Sequence, residues 1–301
     1  MKLGVGLPVS GTWATPDRIQ QIAARAEELG YDSLWTFQRL LAPEGLAEPY
    51  RSVLDPVVPL AFVAATTWRI RLGVAVLNMP FVPPIVVAKQ LATLDILSGG
   101  RVEAGLGTGW SAEEFAAVGA SLSERGARAA EYVSVLRTLW TEKEPEHHGR
   151  FYHVPKAAFE PKPVQARVPV LLGGSAPAAL RRAGRIADGW ISSSQAAHTD
   201  MRPMIQLVRE AAEQVGRDPE TLRFICRGAV RLREAGRADR RPLTGSLAEI
   251  RDDLESLEQQ GMTEFFFDLN FDPRIGSPDA DPQVSMRVAE EVLDTFSPGR
   301  G

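Results

Sequence analysis

The chain has 301 residues, of which 44% are hydrophobic and 24% charged, and its formal charge at pH 7 is −4. This composition fits a globular chain with a sizeable core and excludes a disordered one, and it shows no overall basic excess of the kind that binds nucleic acid. No run of about 18 apolar residues offers a membrane span, Met1 to Pro8 reads as a short strand and turn, not a secretory leader, and the lone Cys226 cannot form an internal disulfide; together these predict a cytoplasmic protein without membrane or nucleic-acid partners.

Short β-rich runs alternate with amphipathic helical runs along the chain. Strand one is Leu3 to Leu7. Helix one, Asp17 to Leu29, has Thr15 as N-cap, Pro16 in its first turn and Gly30 as its stop. Its residues Ile19, Ile22, Ala23, Ala26 and Leu29 share one face. Strand two is Ser33 to Phe37 and helix two Asp55 to Ala65. Strand three, Ile70 to Leu77, is apolar nearly throughout, as strands of a covered parallel sheet are. Helix three is Pro84 to Leu97, stopped by Ser98-Gly99-Gly100, and strand four is Val102 to Leu106. A loop follows, then helix four, Arg125 to Trp140.

Thr141 to Arg167 breaks the rhythm with four prolines and no long helical pattern, so it reads as an excursion outside the repeating frame. Strand five is Val168 to Leu172, helix five Pro177 to Arg185, strand six Gly189 to Ser192 and helix six about Met201 to Val215. Strand seven is Phe224 to Val230, with Cys226 as a small core residue. Arg231 to Thr244 is polar and arginine-rich, either a mobile loop at a catalytic mouth or a solvated connection. Helix seven is Leu247 to Gln260, strand eight Glu264 to Leu269 and helix eight Val284 to Phe296. Eight β–α pairs predict one (β/α)₈ barrel over residues 1–301, with an open doubly wound sheet as the alternative.

Barrel active sites lie at the C-terminal ends of the strands. The residues to watch are therefore Pro8 to Trp13, Gln38 and Arg39, Asn78 to Phe81, Gly107 to Trp110, Gly173 to Ser175, Ser192 to Gln195, and Asn270 onward. Gly173-Gly174-Ser175 follows strand five and opens a helix, where bare backbone, free N–H groups and the helix dipole suit a phosphate. A tight turn with Ser175 as a plain N-cap is the other reading. Gly105-Leu106-Gly107-Thr108-Gly109-Trp110 has the wrong spacing for a dinucleotide fingerprint. Its glycines suit either a flat ligand against backbone or tight strand packing.

Gln38 and Arg39 would bring an amide and a guanidinium to the mouth. Arg39 either binds an anionic ligand or pairs with Glu44 or Glu48. Trp13, Trp35 and Trp110 either line an aromatic pocket or pack in the core. His147, His148 and His153 lack a ligand cluster, so no metal site is expected. Most acidic residues fall on helix faces, where solvation accounts for them.

The ordered set of segments resembles the bacterial luciferase-like flavin and deazaflavin oxidoreductases over nearly the whole chain. It comprises Leu72 to Asn78, Ala88 to Asp95, Ser98 to Val102, Gly105 to Trp110 with Glu113 to Phe115, Glu124-Arg125, Leu136 to Trp140, Phe159 to Gln165, Val168 to Ser175, and Ala187 to Trp190. The resemblance implies a cofactor across the strand C-termini. Its phosphate would lie at Gly173, Gly174 and Ser175, Gly107 and Thr108 would border it, and a non-prolyl cis peptide near Ala75-Val76 would support its ring. It is similar to the branch using coenzyme F420, a deazaflavin that carries hydride. The acid and histidine found after strand two in similar proteins are replaced by Gln38 and Arg39, and a glutamate by Trp110. These three are the candidate residues at the reacting centre.

The resemblance implies an oxidoreductase moving hydride between coenzyme F420 and a small organic substrate. An FMN-dependent monooxygenase and a cofactor-binding barrel without turnover are the alternatives. A homodimer through helices beside strands two to four is implied as well.

Overall fold

Eight parallel strands close on themselves in the computed structural model, which describes residues 1–196 and 198–300. They are β1 (Lys2–Gly6), β2 (Ser33–Thr36), β3 (Arg71–Val74), β4 (Val102–Gly107), β5 (Val170–Gly173), β6 (Gly189–Ile191), β7 (Arg223–Gly228) and β8 (Glu264–Phe267). Each pairs with its sequence neighbour, and β1 pairs with β8 in the register Lys2 to Glu264, so no edge is left open. The open-sheet alternative is thereby excluded.

The helices α1 (Pro16–Glu28), α2 (Val57–Ala64), α3 (Pro84–Leu97), α4 (Arg125–Thr141), α5 (Pro177–Ile186), α6 (Arg202–Glu213), α7 (Leu247–Gln259) and α8 (Pro282–Thr295) follow the strands in order. Thr15 is the N-cap residue of α1, Pro16 begins it, and Gly30 takes a positive φ of 85° just after its end. A capping box of Ser246 and Glu249 starts α7, closing two orphan N–H groups reciprocally. No helix among the described residues is long and apolar enough to cross a membrane.

The expected strand Ile70 to Leu77 is shorter and interrupted. Pairing stops at Val74, the Ala75–Val76 peptide is cis, and Leu77–Asn78 then pairs with the end of β4. The expected loop before α4 holds a short helix, Ala112–Ala117, capped by the Ser111 side chain. The excursion folds into a hairpin of His147–His148 against His153–Val154, fastened by Glu131 of α4, which accepts from the N–H groups of Phe151 and Tyr152.

The barrel interior is filled, not hollow. Trp35 and Phe266 stack with ring centroids 5.1 Å apart, joined by Leu171, Ile191 and Ile225. Gly73 makes room for this plug, since a Cβ there would meet the Trp35 ring at 2.3 Å. Below it, at the N-terminal ends of the strands, Arg71 and Arg223 interleave with Glu103 and Glu264. Arg71 contacts both carboxylates, and Arg223 Nη2 donates to Glu103 at 2.9 Å and to Glu264 at 2.8 Å. Burial alone would raise the Glu264 carboxyl, but Arg223 and Arg71 outweigh it and hold it below the usual range. Burial also opposes the charge of Arg223, and its two carboxylate partners leave it raised. Glu103 and Glu264 on strands, Asp268 and Asp272 after β8, and Asp95 and Glu114 on helices are buried, apart from the solvated helix faces expected for most acidic residues.

Candidate active site

The opposite end of the barrel is a cavity of about 360 Å³. It exists because the strands end there on small or bent backbone while the plug stops one layer below. All ten residues singled out from the sequence line it: Gln38, Arg39, Ala75, Val76, Gly107, Thr108, Trp110, Gly173, Gly174 and Ser175. Ser192 to Gln195 and Asn78 join them. Pro8 to Trp13 and Asn270 do not. Trp13 is core, and the buried Asn270 side chain accepts from the N–H groups of Val9 and Ser10 while donating to the Leu7 carbonyl. Trp35 belongs to the plug, so of the three tryptophans only Trp110 faces the cavity, 59% exposed.

The glycines have reasons within the protein. A Cβ on Gly105 would strike the Val74 carbonyl at 1.8 Å, and one on Gly107 would meet the Val76 side chain at 2.4 Å. Strand packing therefore accounts for Gly105, whereas Gly107 and Gly173 border the cavity and also make space for Val76. Gly174 has φ of 132°, in the region that disfavours side chains, and a Cβ would meet Ala179 at 2.7 Å. The Trp190 indole N–H donates to the Gly174 carbonyl at 2.7 Å and anchors the turn. Ser175 is not the N-cap of α5. That place belongs to Ala176, and Ser175 is an exposed hydroxyl at the cavity wall.

Arg39 pairs with neither Glu44 nor Glu48. Its Nη1 donates to Glu114 Oε2 at 2.8 Å, a pair buried on both sides, while Glu48 holds Arg51. Glu114 Oε1 also accepts from the N–H groups of Leu40 and Leu41. The Arg39 guanidinium carbon lies 4.7 Å from the Tyr50 ring centroid and 4.6 Å from that of Trp110, in cation–π contact with both rings. Gln38 Oε1 accepts from the Asn78 N–H at 2.8 Å.

A second arginine, Arg227 at the end of β7, lines the same cavity and was not anticipated. Its Nη1 reaches across the mouth to the Ala75 carbonyl at 2.7 Å, and its Nε donates to Asp268 at 2.8 Å. Phe37 and Phe271 lie 4.8 and 4.5 Å from the guanidinium carbon. Its Nη2 is 2.8 Å from the same Asp268 oxygen but out of line to donate to it, so this buried N–H group has no hydrogen bond. Arg39 Nε is unpartnered likewise. Two arginines of the cavity wall thus each keep one buried N–H group without a hydrogen bond. Among its lining residues there is no aspartate, glutamate, histidine, lysine or cysteine.

Two groups near the mouth are set aside by burial. His198, after β6, is driven down to about 4, mainly by burial, with Asp253 opposing. The Cys226 thiol is pushed up to about 12 by burial, with a Ser192 hydrogen bond opposing. Arg231 to Thr244 contributes nothing to the cavity wall. It is a connection pinned by Arg233 on Asp272 at 2.7 Å and by Arg240 on Asp253 at 2.6 Å. Among the described residues no group of three or more His, Cys, Asp or Glu could hold a metal ion.

A family profile described as luciferase-like monooxygenase matches residues 2–267. An F420-dependent glucose-6-phosphate dehydrogenase from Nakamurella multipartita is 30% identical over 299 residues, covering 95% of this chain and 79% of that one. Two solved structures share the fold. The monooxygenase RslO1 from Streptomyces bottropensis has a TM-score of 0.81 at 23% identity, covering all of both chains. An F420-dependent secondary alcohol dehydrogenase, solved with an F420-acetone adduct, has a TM-score of 0.79 at 18% identity, covering 100% of this chain and 99% of that one.

Proposed function

The chain belongs to the luciferase-like monooxygenase family and is an oxidoreductase, and from that premise we propose that it moves hydride between coenzyme F420 and a small organic substrate in the cytoplasm. The observation that carries the reading is the donor set of the cavity: two buried arginines with unmet N–H groups, a glycine turn at the start of α5, and no carboxylate on the wall. That chemistry fits a flat, anionic deazaflavin. When bound, such a cofactor supplies or accepts a hydride and does not readily activate oxygen.

The chain's own residues bind and orient. Gly173, Gly174 and Ser175 would hold the phosphate, where backbone N–H groups, a hydroxyl and the helix dipole favour negative charge. Ala75, Val76, Gly107 and Thr108 would wall the ring. Gln38, Arg39 and Trp110 would face the substrate. Titration of ligand-free protein with coenzyme F420 and with FMN, followed by ring fluorescence, tests this. Micromolar binding of FMN alone would favour the monooxygenase reading that the same barrel supports. Gly174→Val should weaken F420 strongly, and unchanged affinity would remove the phosphate site.

We also propose a homodimer through α2 and α3. Both helices bury one face and still expose apolar side chains on the other: Val58, Phe62, Ile85 and Val86 are 42–66% exposed, and Trp68 between the helices is 77% exposed. Sedimentation of Phe62→Asp should show a monomer, and a monomeric parent protein would refute the dimer.

A further inference from the structure

We propose, on the reading that the site works with a deazaflavin, that its substrate is a planar quinonoid compound whose oxygen carries negative charge at Gln38 and Arg39. The wall carries no carboxylate, imidazole, ammonium or thiol group, so besides the arginines its one titratable side chain is the Tyr50 phenol, whose ring lies against Arg39. Hydride exchange at a simple ketone or alcohol places charge on an alkoxide, about as basic as hydroxide and far more basic than a phenolate. A phenolic oxygen has a pKa of about 10 and can hold the charge with help from donors alone.

The structure supplies those donors and a flat wall. Because Gln38 Oε1 accepts from the Asn78 N–H, the other end of its amide is the NH₂ group, and that nitrogen donates to no described residue. The Arg39 guanidinium lies against the Tyr50 and Trp110 rings, Nη1 is taken by Glu114, and Nη2 has no hydrogen bond to a described residue. Glu114 itself is saturated by Arg39, Leu40 and Leu41 and does not reach the cavity. Trp110 at the rim offers an aromatic face to a ring.

The balance closes without a protein acid. The quinone would take one hydride from the reduced deazaflavin, which would also release one proton to water. The hydrogen ends on one oxygen, the displaced electron pair rests on the other as phenolate, and water supplies the second proton. The quinone is reduced by two electrons and the cofactor oxidised by two.

A nitrophenol titrated into ligand-free protein reads the subsite without turnover. The bound phenol should ionise about one pH unit lower than in solution, a tenfold preference for phenolate seen in its absorbance, and should quench Trp110 fluorescence. Gln38→Met and Arg39→Lys should each lower phenolate affinity about tenfold. Arg39→Met with Glu114→Met removes the ion pair as a unit, leaves no buried charge unpaired, and should abolish the preference, with circular dichroism confirming the fold. Binding of neutral phenol alone, a shift unchanged in all three variants, or displacement by inorganic phosphate would overturn the proposal. Failure of coenzyme F420 to bind in its own titration would overturn the parent reading, whatever the phenol result.

Discussion

At the N-terminal end of the barrel, Arg71 and Arg223 meet Glu103 and Glu264, and no buried side-chain nitrogen or oxygen of the four lacks a partner. At the C-terminal end, Arg39 and Arg227 meet one carboxylate each, Glu114 and Asp268, and each keeps a buried N–H group with no hydrogen bond. The residue types are the same, but the stoichiometry differs. Two acids shared between two bases make a closed floor. One acid per base, with the acid also satisfying backbone, leaves one buried N–H group of each arginine without a hydrogen bond, and a buried unmet donor is costly. Stability is concentrated at one end and binding capacity at the other.

Breaking the floor should have the largest effect. Glu264→Leu strands two guanidiniums on one carboxylate and should cost about 3–5 kcal/mol in urea denaturation, while the folded fraction keeps its ligand affinity at the mouth. Equal losses in both measurements would dissolve the contrast.

Acid should act on the mouth before the floor. His198 has a folded pKa of about 4 against 6.5, so the unfolded chain binds its proton first. Stability is complete above about pH 6.5 and falls as pH drops toward 4, by about 3 kcal/mol at the limit. Glu264 is held below its ordinary 4.5, so its contribution is present above that value and is lost only as pH falls through the lowered folded value. Comparing melts at about pH 7 and about pH 5, the loss should vanish in His198→Gln, and an identical slope in the variant would reassign it.

Ser175→Ala should leave stability unchanged and lower the affinity of a phosphate-bearing ligand roughly tenfold, about 1.4 kcal/mol, by calorimetry. The smallest expected effect is none at all. With its thiol buried and pushed up to about 12, Cys226 should resist iodoacetamide in the native protein and react once unfolded. Rapid native alkylation, read by mass spectrometry, would contradict the packing at β7.

The barrel was legible because alternating β and α runs survive in sequence as hydrophobic periodicity. Eight of the ten wall residues were legible because strand C-termini converge on one face in such a barrel, and Ala75 and Val76 only through the family resemblance. What escaped depended on distant partners. Arg39 is bound 75 residues away by Glu114, while of the nearer acids Glu44 is exposed and Glu48 holds Arg51. Tyr50 reaches the site from a long connection, far from any strand end. Arg227 was hidden inside a strand read as core. Glu103 and Glu264 lie within strands, outside the solvated helix faces expected for most acidic residues, and their inward pairing with Arg71 and Arg223 also depended on distant partners.

The Trp35–Phe266 stack has a kinetic consequence. It closes the well from below, so a molecule seated deepest would have to arrive before one resting above it and depart after it. Turnover by two ligands sharing this shaft would follow a compulsory sequence, with a bound second molecule trapping the first.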